Sequence, residues 1–350
     1  MASRVALVMA GGRGQRFWPL STEARPKQFL DLERRGRTLL QTTVDRIAPL
    51  VGGVERVLIA TGDRYLPLVR EQLPELPEAN LLAEPVGRDS APAIALAALR
   101  LRDRFGDVGM GVFASDHRIE DAAAFERALR SAFDLADARR GLVTIGIRPT
   151  RPATGYGYIE RGEAVMDGFR VARFVEKPNR TRARAYAGSG AYVWNAGMFV
   201  WNVDTILAEL DRHAPELMLP LREAYAADEV DRRFGELPKV SVDYAVMEKT
   251  DAAYVVEGDF GWDDIGDWAA LERLLPEDDG AVHTVFGPHA GRDAAGNIVF
   301  TDGADDVLVA LGVEGLVIVK RGDTVLILPK DRVGEIKGLL EDERLRDLSP

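Results

Sequence analysis

The chain has 350 residues and a mass of 38.4 kDa, which is more than one hydrophobic core usually organises, so we expect a large domain and a smaller one. Its 45 Lys and Arg against 56 Asp and Glu give a net charge of −11, which disfavours nucleic acids and anionic membranes as partners. The lack of cysteine excludes disulfides, thiolate nucleophiles and cysteine metal ligands. Its apolar stretches are far shorter than the roughly 20 residues that span a bilayer, so we expect a cytoplasmic protein.

The first half of the chain alternates apolar, β-rich runs with helical patterns. Strands are predicted at residues 5–10, 54–61, 109–114 and 142–147, and helices at residues 39–49, 64–73, 92–104 and 122–138. Apolar strands separated by helices are typical of a largely parallel sheet that is covered on both faces. We therefore predict an α/β layer structure of the nucleotide-binding type.

Beyond residue 150 the regular alternation of strands and helices ends, and the predicted strands carry more polar and aromatic residues. A mixed extension of the sheet is predicted from strands at residues 157–161, 169–176 and 191–201, followed by helices at 203–212, with Asn202 as N-cap, and 215–227. A small β-rich C-terminal domain is predicted from short strands at residues 297–301, 307–311, 315–320 and 324–328 and a closing helix at 331–342. We place the domain boundary between residues 278 and 279.

A glycine-rich loop, GGRGQRFWPL, directly follows the first predicted strand. Gly11, Gly12 and Gly14 let the backbone approach a ligand and turn N–H groups inward, as a phosphate cradle requires. The loop lacks the third glycine of the dinucleotide-binding pattern and the Lys-Ser/Thr pair of a Walker loop. On spacing alone, a plain turn between strand and helix explains the loop equally well.

Further motifs place this loop in a family context. The segments GGRGQRFWPL and RPKQFLDL, which carry Arg16 and Lys27, resemble the sugar-phosphate nucleotidyltransferases, and within them the mannose-1-phosphate guanylyltransferases. The later matching motifs are EPVGRDSAPAIA (84–95), ASDH (114–117), TGYGYIE (154–160), FVEKP (174–178), WNAGMFVW (194–201), VDYAVMEK (242–249) and WDDIGDW (262–268). Because they occur in family order over about three quarters of the chain, their joint match is far more specific than any one motif.

The resemblance implies a fold and a reaction. The fold is a Rossmann-like, glycosyltransferase-A-like mixed sheet flanked by helices, with a small β-rich C-terminal domain of the kind that relatives use for dimer contacts. In the reaction, GTP and mannose 1-phosphate give GDP-mannose and pyrophosphate with Mg²⁺, and the sugar phosphate attacks the α-phosphorus directly. Since two polyanions repel each other, a carboxylate-held divalent cation and fixed cations would be needed to bring them together.

The resemblance also implies the metal ligands and the sugar site. Asp116, at the end of a predicted strand, and Asp264 would jointly hold Mg²⁺, although each could be a plain turn acid and Asp263 is an equally good oxygen ligand. Lys177 would bind the phosphate of the sugar phosphate. The mannose pocket would be formed by Gly155, Glu176, Asn195 and Gly197, although the aromatic residues around Asn195 could simply be strand core.

The nucleotide would be held by two cations and a set of loop residues. Arg16 and Lys27 would bind the triphosphate, although either could be an ordinary exposed cation. The remaining nucleotide contacts would be Ala10, Gly11, Gly12, Gly14, Glu84, Arg88, Asp89 and Ser90. Guanine presents N1–H and N2–H donors, so a carboxylate would select it, and either Glu84 or Asp89 could serve. Glu84 could instead be a structural acid before Pro85.

Three other functions remain open on the sequence. The same reaction type could use another base or another sugar 1-phosphate. A nicotinamide-dependent dehydrogenase is suggested only by the first strand and the glycine loop. The dinucleotide-binding pattern of such enzymes is incomplete here, because its third glycine is absent. The chain could also be a non-catalytic nucleotide-sugar-binding regulatory protein, although the match of its predicted charged site residues to the family argues against this.

Overall fold

The computed structural model describes residues 3–12, 14–274, 283–286, 289–303, 306–342 and 344. The described chain forms two compact units, one within Met1–Gly11 and Leu40–Trp262 and the other within Gly12–Leu39 and Asp263–Pro350. The second unit therefore combines most of the glycine-rich loop with the C-terminal strands. The predicted boundary between residues 278 and 279 lies outside the described residues.

Strands of the first unit form a nine-stranded mixed sheet, with short β-strands beside it. The strands up to Asp263 are β1 (Arg4–Met9), β2 (Val57–Gly62), β3 (Leu81–Glu84), β4 (Gly109–Ala114), β5 (Arg118–Ile119), β6 (Leu142–Ile147), β7 (Tyr158–Val165), β8 (Gly168–Val175), β9 (Tyr192–Asn202), β10 (Ala253–Gly258) and β11 (Trp262–Asp263). The order in the large sheet is β3-β2-β1-β4-β9-β6-β10-β8-β7. Strands β3, β2, β1 and β4 are parallel, whereas β9 runs antiparallel to β4 and β6. The predicted α/β class with a mixed extension is confirmed.

Helices cover this sheet with apolar faces. They are α1 (Leu39–Val51), α2 (Leu66–Gln72), α3 (Ser90–Phe105), α4 (Ala122–Arg139), α5 (Arg180–Ser189), α6 (Val203–His213), α7 (Pro215–Ala226) and α8 (Val230–Arg233). In α4, Phe125, Leu129 and Phe133 recur at four-residue steps and are all buried, as the sequence predicts for an amphipathic helix. Within the described chain, no helix combines the length and apolar character needed to cross a membrane.

The predicted side-chain cap of α6 is not formed. Asn202 occupies the N-cap position of α6, but its side chain makes no capping hydrogen bond. Its Oδ1 atom is buried and has no hydrogen-bond partner among the described residues. Asn202 is also the last residue of β9, and its side chain is buried.

The second unit is a small β-rich body. Its elements are α9 (Trp268–Leu274), β12 (His283–Phe286), β13 (His289–Arg292), β14 (Asn297–Thr301), β15 (Leu308–Leu311), β16 (Leu316–Arg321), β17 (Thr324–Pro329) and α10 (Ile336–Leu339). Strand β12 pairs in parallel with β14, β14 with β16, and β13 with β15, which gives the layered strands of a short β-helix. Strand β17 pairs with β16 in antiparallel fashion and closes the layer.

The predicted C-terminal helix at residues 331–342 is wrong in type over its first half and is α-helical only at residues 336–339. The chain forms a 3₁₀ helix at Lys330–Glu335 and a single α-turn in α10. Gly334 and Gly338 lie within the predicted helix, and glycine is the residue most unfavourable to a helix interior after proline. The side chains of Val333 and Ile336 are nevertheless buried in the core of this unit.

The core of the second unit contains side chains from the segment after the glycine loop and from the C-terminal part of the chain. Phe17 packs on Trp268 with ring centroids 5.4 Å apart, and Trp268 packs on Phe300 at 5.6 Å. The guanidinium of Arg34 lies 5.0 Å from the centre of the Phe300 ring. The segment after the glycine loop thus folds as part of the C-terminal unit, which the sequence pattern did not predict.

Candidate active site

Parallel strands bring several predicted site residues to one edge of the large sheet. Register pairs Met9 of β1 with Ala114 of β4, so the residues that follow these strands, Ala10 and Asp116, leave the sheet at the same edge. Glu84 is the last residue of β3 and pairs with Gly62 at the end of β2. Open α/β sheets bind ligands beyond the carboxyl ends of their strands, so this edge is the candidate site.

Glu84 is a buried carboxylate at this edge. Its Oε1 atom lies 3.8 Å from the point that a Cβ atom on Gly11 would occupy. Burial raises the pKa of Glu84 to about 7, and the negative charge of Asp89 adds to the shift. The backbone N–H of Ala10 donates to the Ala60 carbonyl at 2.7 Å, so this amide is already engaged in the sheet. The Glu84 carboxylate therefore lies next to the Gly11 backbone and changes its charge near neutral pH.

Asp89 and Ser90 are engaged at the start of α3. Asp89 has a positive φ of 69°, and its carboxylate accepts a hydrogen bond from the Ser90 N–H at 2.9 Å. The Ser90 hydroxyl oxygen accepts a hydrogen bond from the Val242 N–H at 2.9 Å. The Nε atom of Arg88 is buried without a hydrogen-bond partner among the described residues. Of the two carboxylates proposed for the base, Glu84 is therefore the one not used as a helix cap.

Gly14 and Lys27 are packed together in the second unit. Gly14 has a φ of +59°, and a Cβ atom placed on it would approach the Lys27 backbone nitrogen to 2.7 Å. The Lys27 side chain is buried, and its Nζ atom donates hydrogen bonds to the carbonyls of Asp264 (2.8 Å) and Ile265 (2.7 Å). Glycine is thus required at position 14, and Lys27 supports the turn that carries Asp264.

The other predicted residues of this unit are more open. Arg16 is exposed and makes no hydrogen bond or ion pair with the described residues. The Gly12 carbonyl accepts a hydrogen bond from the Gln28 side-chain amide at 3.0 Å. The Asp264 carboxylate oxygens lie 3.2 and 3.5 Å from the position of a Cβ atom on Gly266, so the glycine leaves space beside them.

The predicted phosphate-binding lysine lies at the end of β8. The Lys177 ammonium forms an ion pair with Glu176 Oε1 at 2.9 Å, and its side chain is 59% exposed. The hydrogen bond to Glu176 is the main cause of a raised pKa for Lys177. Lys177 has a positive φ of 44°, and the Glu176 N–H donates to Glu248 Oε1 at 3.0 Å. The Lys177 ammonium is thus accessible to solvent, whereas the Glu176 carboxylate that pairs with it is largely buried.

A hydrogen-bond network fixes Asn195 beside this ion pair. Asn195 Oδ1 accepts hydrogen bonds from the Thr144 hydroxyl at 2.9 Å and from the Gly197 N–H at 3.1 Å. Asn195 Nδ2 donates to Asp243 Oδ1 at 2.9 Å. Burial raises the pKa of Asp243 to about 6, and the nearby Glu176 charge contributes to the shift. The structure therefore brings three of the predicted sugar-site residues, Glu176, Asn195 and Gly197, into one cluster.

Gly157 is a close-packed glycine within this cluster. A Cβ atom on Gly157 would lie 2.5 Å from Glu176 Oε2 and 3.6 Å from Asn195 Nδ2. By contrast, Gly155, the predicted pocket glycine, is exposed and has no atom within 4 Å of a Cβ position. Gly157 therefore makes room for the Glu176 carboxylate, and Gly155 leaves open space.

Aromatic rings connect the same loop to the strand ends. Tyr156 lies edge-on to Trp194 (5.1 Å) and to Trp262 (5.2 Å). The Trp262 indole N–H donates to His117 Nδ1 at 3.3 Å, so a neutral His117 carries its proton on Nε2. Trp194 is buried, which agrees with a core role for this ring.

The proposed metal ligands can be judged by their donor chemistry. Asp116 follows β4 in the first unit, and Asp264 follows β11 in the second. Among the described residues, no group of three or more His, Asp or Glu side chains is placed to hold a metal ion. Mg²⁺ is commonly bound by one or two carboxylates together with substrate phosphates, so the donor chemistry of either aspartate suits it.

Three residues of the cluster were missed by sequence reasoning. Thr144, Gly157 and Asp243 received no predicted role, although Gly157 lies in TGYG and Asp243 in VDYAVMEK, which are two of the matching motifs. Their membership of these motifs was the available signal for Gly157 and Asp243. It does not say which partner each residue contacts.

Comparison with known proteins agrees with the resemblance in the sequence. Residues 5–279 match the family described as nucleotidyl transferase, and residues 287–342 match the MannoseP isomerase/GMP-like beta-helix domain. A mannose-1-phosphate guanylyltransferase of Escherichia coli is 41% identical over 349 residues, with 96% of this chain and 73% of that protein covered. One from Klebsiella pneumoniae is 40% identical over 349 residues, with 96% and 73% covered.

A solved structure shows the same fold over nearly the whole chain. The crystal structure described as mannose-1-phosphate geranyltransferase from Thermus thermophilus has a TM-score of 0.89 and 39% identity. The match covers 98% of this chain and 99% of that chain. The predicted fold class, with a nucleotidyltransferase sheet and a β-rich C-terminal region, is thereby confirmed.

Proposed function

The chain belongs to the nucleotidyl transferase family, among its mannose-1-phosphate guanylyltransferases, and on this premise we propose that it transfers GMP from GTP to α-D-mannose 1-phosphate. The products are then GDP-mannose and pyrophosphate. The observation that carries the proposal is the Lys177 ammonium 2.9 Å from Glu176, beside the oriented amide of Asn195. This arrangement offers a cation for a phosphate next to polar groups for sugar hydroxyls.

In the sugar site, Lys177 binds the phosphate of mannose 1-phosphate and Glu176 accepts hydrogen bonds from its hydroxyl groups. Asn195 and Gly197 contribute an amide and a close-approach backbone, and Gly155 provides open space at the edge of the site. The exposed position of Lys177 supports this role, because a substrate can reach its ammonium from solvent.

For the nucleotide, we assign base recognition to Glu84. An ionised carboxylate can accept both the N1–H and the N2–H of guanine, and Glu84 lies next to the Gly11 backbone. Arg16 and Lys27 interact with the triphosphate, and Gly12 and Gly14 keep the loop free of side chains. The exposed, unpaired guanidinium of Arg16 in the described chain supports its part of this assignment.

The chemical step is a direct displacement. A phosphate oxygen of mannose 1-phosphate forms a bond to the α-phosphorus of GTP, the bond from that phosphorus to the α,β-bridging oxygen breaks, and pyrophosphate departs with the electron pair. No proton transfer and no protein nucleophile are needed. Alignment of two bound reactants supplies roughly 7–11 kcal/mol of such a barrier.

Asp116 and Asp264 are the residues that we propose to hold Mg²⁺. Both offer carboxylate oxygens, and Gly266 leaves space beside those of Asp264. When bound, the ion would neutralise charge on the phosphates of the two substrates.

A substrate panel tests the proposed function. Purified enzyme is mixed with Mg²⁺, with each of GTP, ATP, UTP and dTTP, and with mannose 1-phosphate or glucose 1-phosphate, and pyrophosphate release is measured. We expect the GTP and mannose 1-phosphate pair to give the highest kcat/KM. Faster turnover of another pair would change the assigned substrates, and binding of nucleotide sugar without any pyrophosphate release would indicate a regulatory protein.

We also propose that the enzyme acts in the cytoplasm as a homodimer. Val309, Leu311, Val325 and Ile327 on β15 and β17 are more than half exposed, which supports a subunit contact on the second unit. Light scattering after size-exclusion chromatography measures the mass directly. A mass near twice 38.4 kDa is expected, and a mass near 38.4 kDa at assay concentrations would contradict the dimer.

A further inference from the structure

We propose that Asp243 is a positioning residue for the sugar phosphate, because its carboxylate orients the Asn195 amide beside the Glu176–Lys177 ion pair. This inference rests on the proposed function and adds to it a residue with no predicted role. Asp243 begins a π-helical turn, Asp243–Met247, after β9 and α8 in the chain, and it reaches Asn195 from a distance of 48 residues in sequence.

The orientation of the Asn195 amide follows from its neighbours. The Gly197 N–H can donate but cannot accept, so the atom 3.1 Å away on Asn195 must be the oxygen. The amide nitrogen then faces Asp243, which at 2.9 Å accepts one of its two hydrogens. No other hydrogen bond from Asn195 Nδ2 is made within the described chain, so its second hydrogen is available to a substrate hydroxyl.

Asp243 is itself held in place through the segment that precedes it. The Val242 N–H donates to the Ser90 hydroxyl at 2.9 Å, and the Ala91 N–H donates to the Val240 carbonyl at 3.1 Å. The Val240 N–H in turn donates to the Arg88 carbonyl at 3.3 Å. Three hydrogen bonds thus tie the segment before Asp243 to the start of α3, which belongs to the nucleotide side of the site.

Charge supports the same role. The groups that interact with Asp243 are Glu176, Lys177, Asn195 and Ser241. Among them Lys177 is the cation, and it is attracted by both Glu176 and Asp243. Loss of the Asp243 carboxylate would release the Asn195 amide and remove one of the two acids that hold the ammonium.

Two substitutions and a control test this role. Asp243→Ala removes the acceptor, whereas Asp243→Asn keeps an oxygen that can accept from Asn195 Nδ2. Because a substrate hydroxyl left without its hydrogen-bond partner in a buried site costs on the order of 10- to 100-fold in affinity, we expect Asp243→Ala to raise KM for mannose 1-phosphate by about that factor, with KM for GTP changed less than about twofold. We expect Asp243→Asn to recover most of that loss. The control is Asp211→Asn, whose carboxylate pairs with Arg222 on the surface and should change neither constant.

The outcomes separate this inference from the proposed function. Thermal unfolding of each variant identifies any that fail to fold. If Asp243→Ala does so, Asp243→Leu, which keeps the side-chain volume but has no acceptor, replaces it with the same expected rise in KM for mannose 1-phosphate. An equal rise of both KM values, an unchanged KM for mannose 1-phosphate, or no recovery by Asp243→Asn would overturn the positioning role. If wild-type enzyme releases no pyrophosphate, the proposed function fails, and Asp243 is judged by calorimetric binding of mannose 1-phosphate. Tighter binding by wild-type than by Asp243→Ala supports the role, and equal binding or none overturns it.

Discussion

The ammonium of Lys27 is hydrogen-bonded to the backbone carbonyl of Asp264 at 2.8 Å, across 237 residues of sequence. A second bond to the Ile265 carbonyl, at 2.7 Å, fixes the same turn, in which Ile265 has a positive φ of 42°. Lys27 thereby supports the backbone of a proposed metal ligand in addition to its proposed contact with the triphosphate. Only the supporting role affects the stability of the protein without substrate, so a substitution of Lys27 should reveal that role in the free energy of unfolding.

Lys27→Met should lower both activity and stability. Two carbonyls lose their partner in a buried position, and an unsatisfied buried group costs about 1–3 kcal/mol of unfolding free energy. Turnover should fall on the order of 10²-fold or more, because one preorganised donor contributes about that much. Chemical denaturation and steady-state kinetics measure the two effects. Lys239→Met, on an exposed lysine, is the control, and a variant with wild-type stability would contradict the structural part of the role.

Lys177→Met should lower activity with little change in stability. Its side chain is mostly exposed, and surface ion pairs contribute about 0–1 kcal/mol to stability. We expect kcat/KM for mannose 1-phosphate to fall on the order of 10²-fold or more, since Lys177 is the proposed contact of the attacking phosphate. Near-normal kcat/KM in this variant would remove Lys177 from the site, whatever its unfolding curve shows.

Glu84 should make GTP use depend on pH near neutrality. Its pKa of about 7 means that the carboxylate loses its charge as the pH falls through that value, and the protonated form can no longer accept both guanine donors. KM for GTP should therefore rise as the pH is lowered from 8 to 6. Glu84→Gln should have a higher KM for GTP at pH 8 and a flatter pH profile. A variant with the wild-type profile would show that another group titrates.

The same residue should affect stability in a defined pH range. The folded pKa lies above the ordinary value of 4.5, so the folded state binds the proton more tightly and stability falls as the pH rises from 4.5 to 7. The shift corresponds to a destabilisation of at most about 3 kcal/mol, which is fully present above the folded pKa. Glu84→Gln should match wild-type at pH 4.5 and exceed its unfolding free energy at pH 8. Equal stabilities at pH 8 would contradict the burial of a charged Glu84.

Two glycines of the same motif form a matched pair. Gly157→Ala places a methyl group 2.5 Å from Glu176 Oε2 and should displace that carboxylate, whereas Gly155→Ala meets no atom within 4 Å. Because the Glu176 side chain can move, we expect a loss of kcat/KM for mannose 1-phosphate on the order of 10²-fold with little loss of stability in Gly157→Ala. Gly155→Ala should keep wild-type stability and should lower kcat/KM far less than Gly157→Ala, because its methyl group meets no protein atom within 4 Å. Equal effects of the two changes would remove the proposed role of Gly157.

The fold was predictable where local pattern and burial agree. The bounds of β4 and β6 match the predicted strands at residues 109–114 and 142–147, because each is a short apolar run that begins or ends at glycine or a turn. The type of the C-terminal helix was predicted wrongly, because Gly334 and Gly338 make a regular α-helix unfavourable and a 3₁₀ segment buries Val333 and Ile336 instead. The folding of residues 12–39 with the C-terminal unit depends on contacts that no local pattern contains.

The site was predictable in its residue types and less so in its contacts. The family motifs predict that Glu176, Lys177 and Asn195 lie together, and the structure places them in one cluster. Lys27, predicted as a triphosphate contact, also bonds to backbone carbonyls, and this use depends on a loop 237 residues away. Asp243 was missed because its importance comes from one hydrogen bond to Asn195, and sequence spacing does not report such a contact.

The stereochemistry of the transfer tests the central claim most directly. The enzyme is given mannose 1-phosphate, Mg²⁺ and GTP that is chirally substituted with sulfur at the α-phosphorus, and the configuration of the GDP-mannose product is determined by phosphorus NMR. We expect inversion, because a single in-line attack by the sugar phosphate reverses the phosphorus centre. Retention, which requires a covalent intermediate on the enzyme, or the absence of any GDP-mannose analogue, would contradict direct transfer between the two substrates.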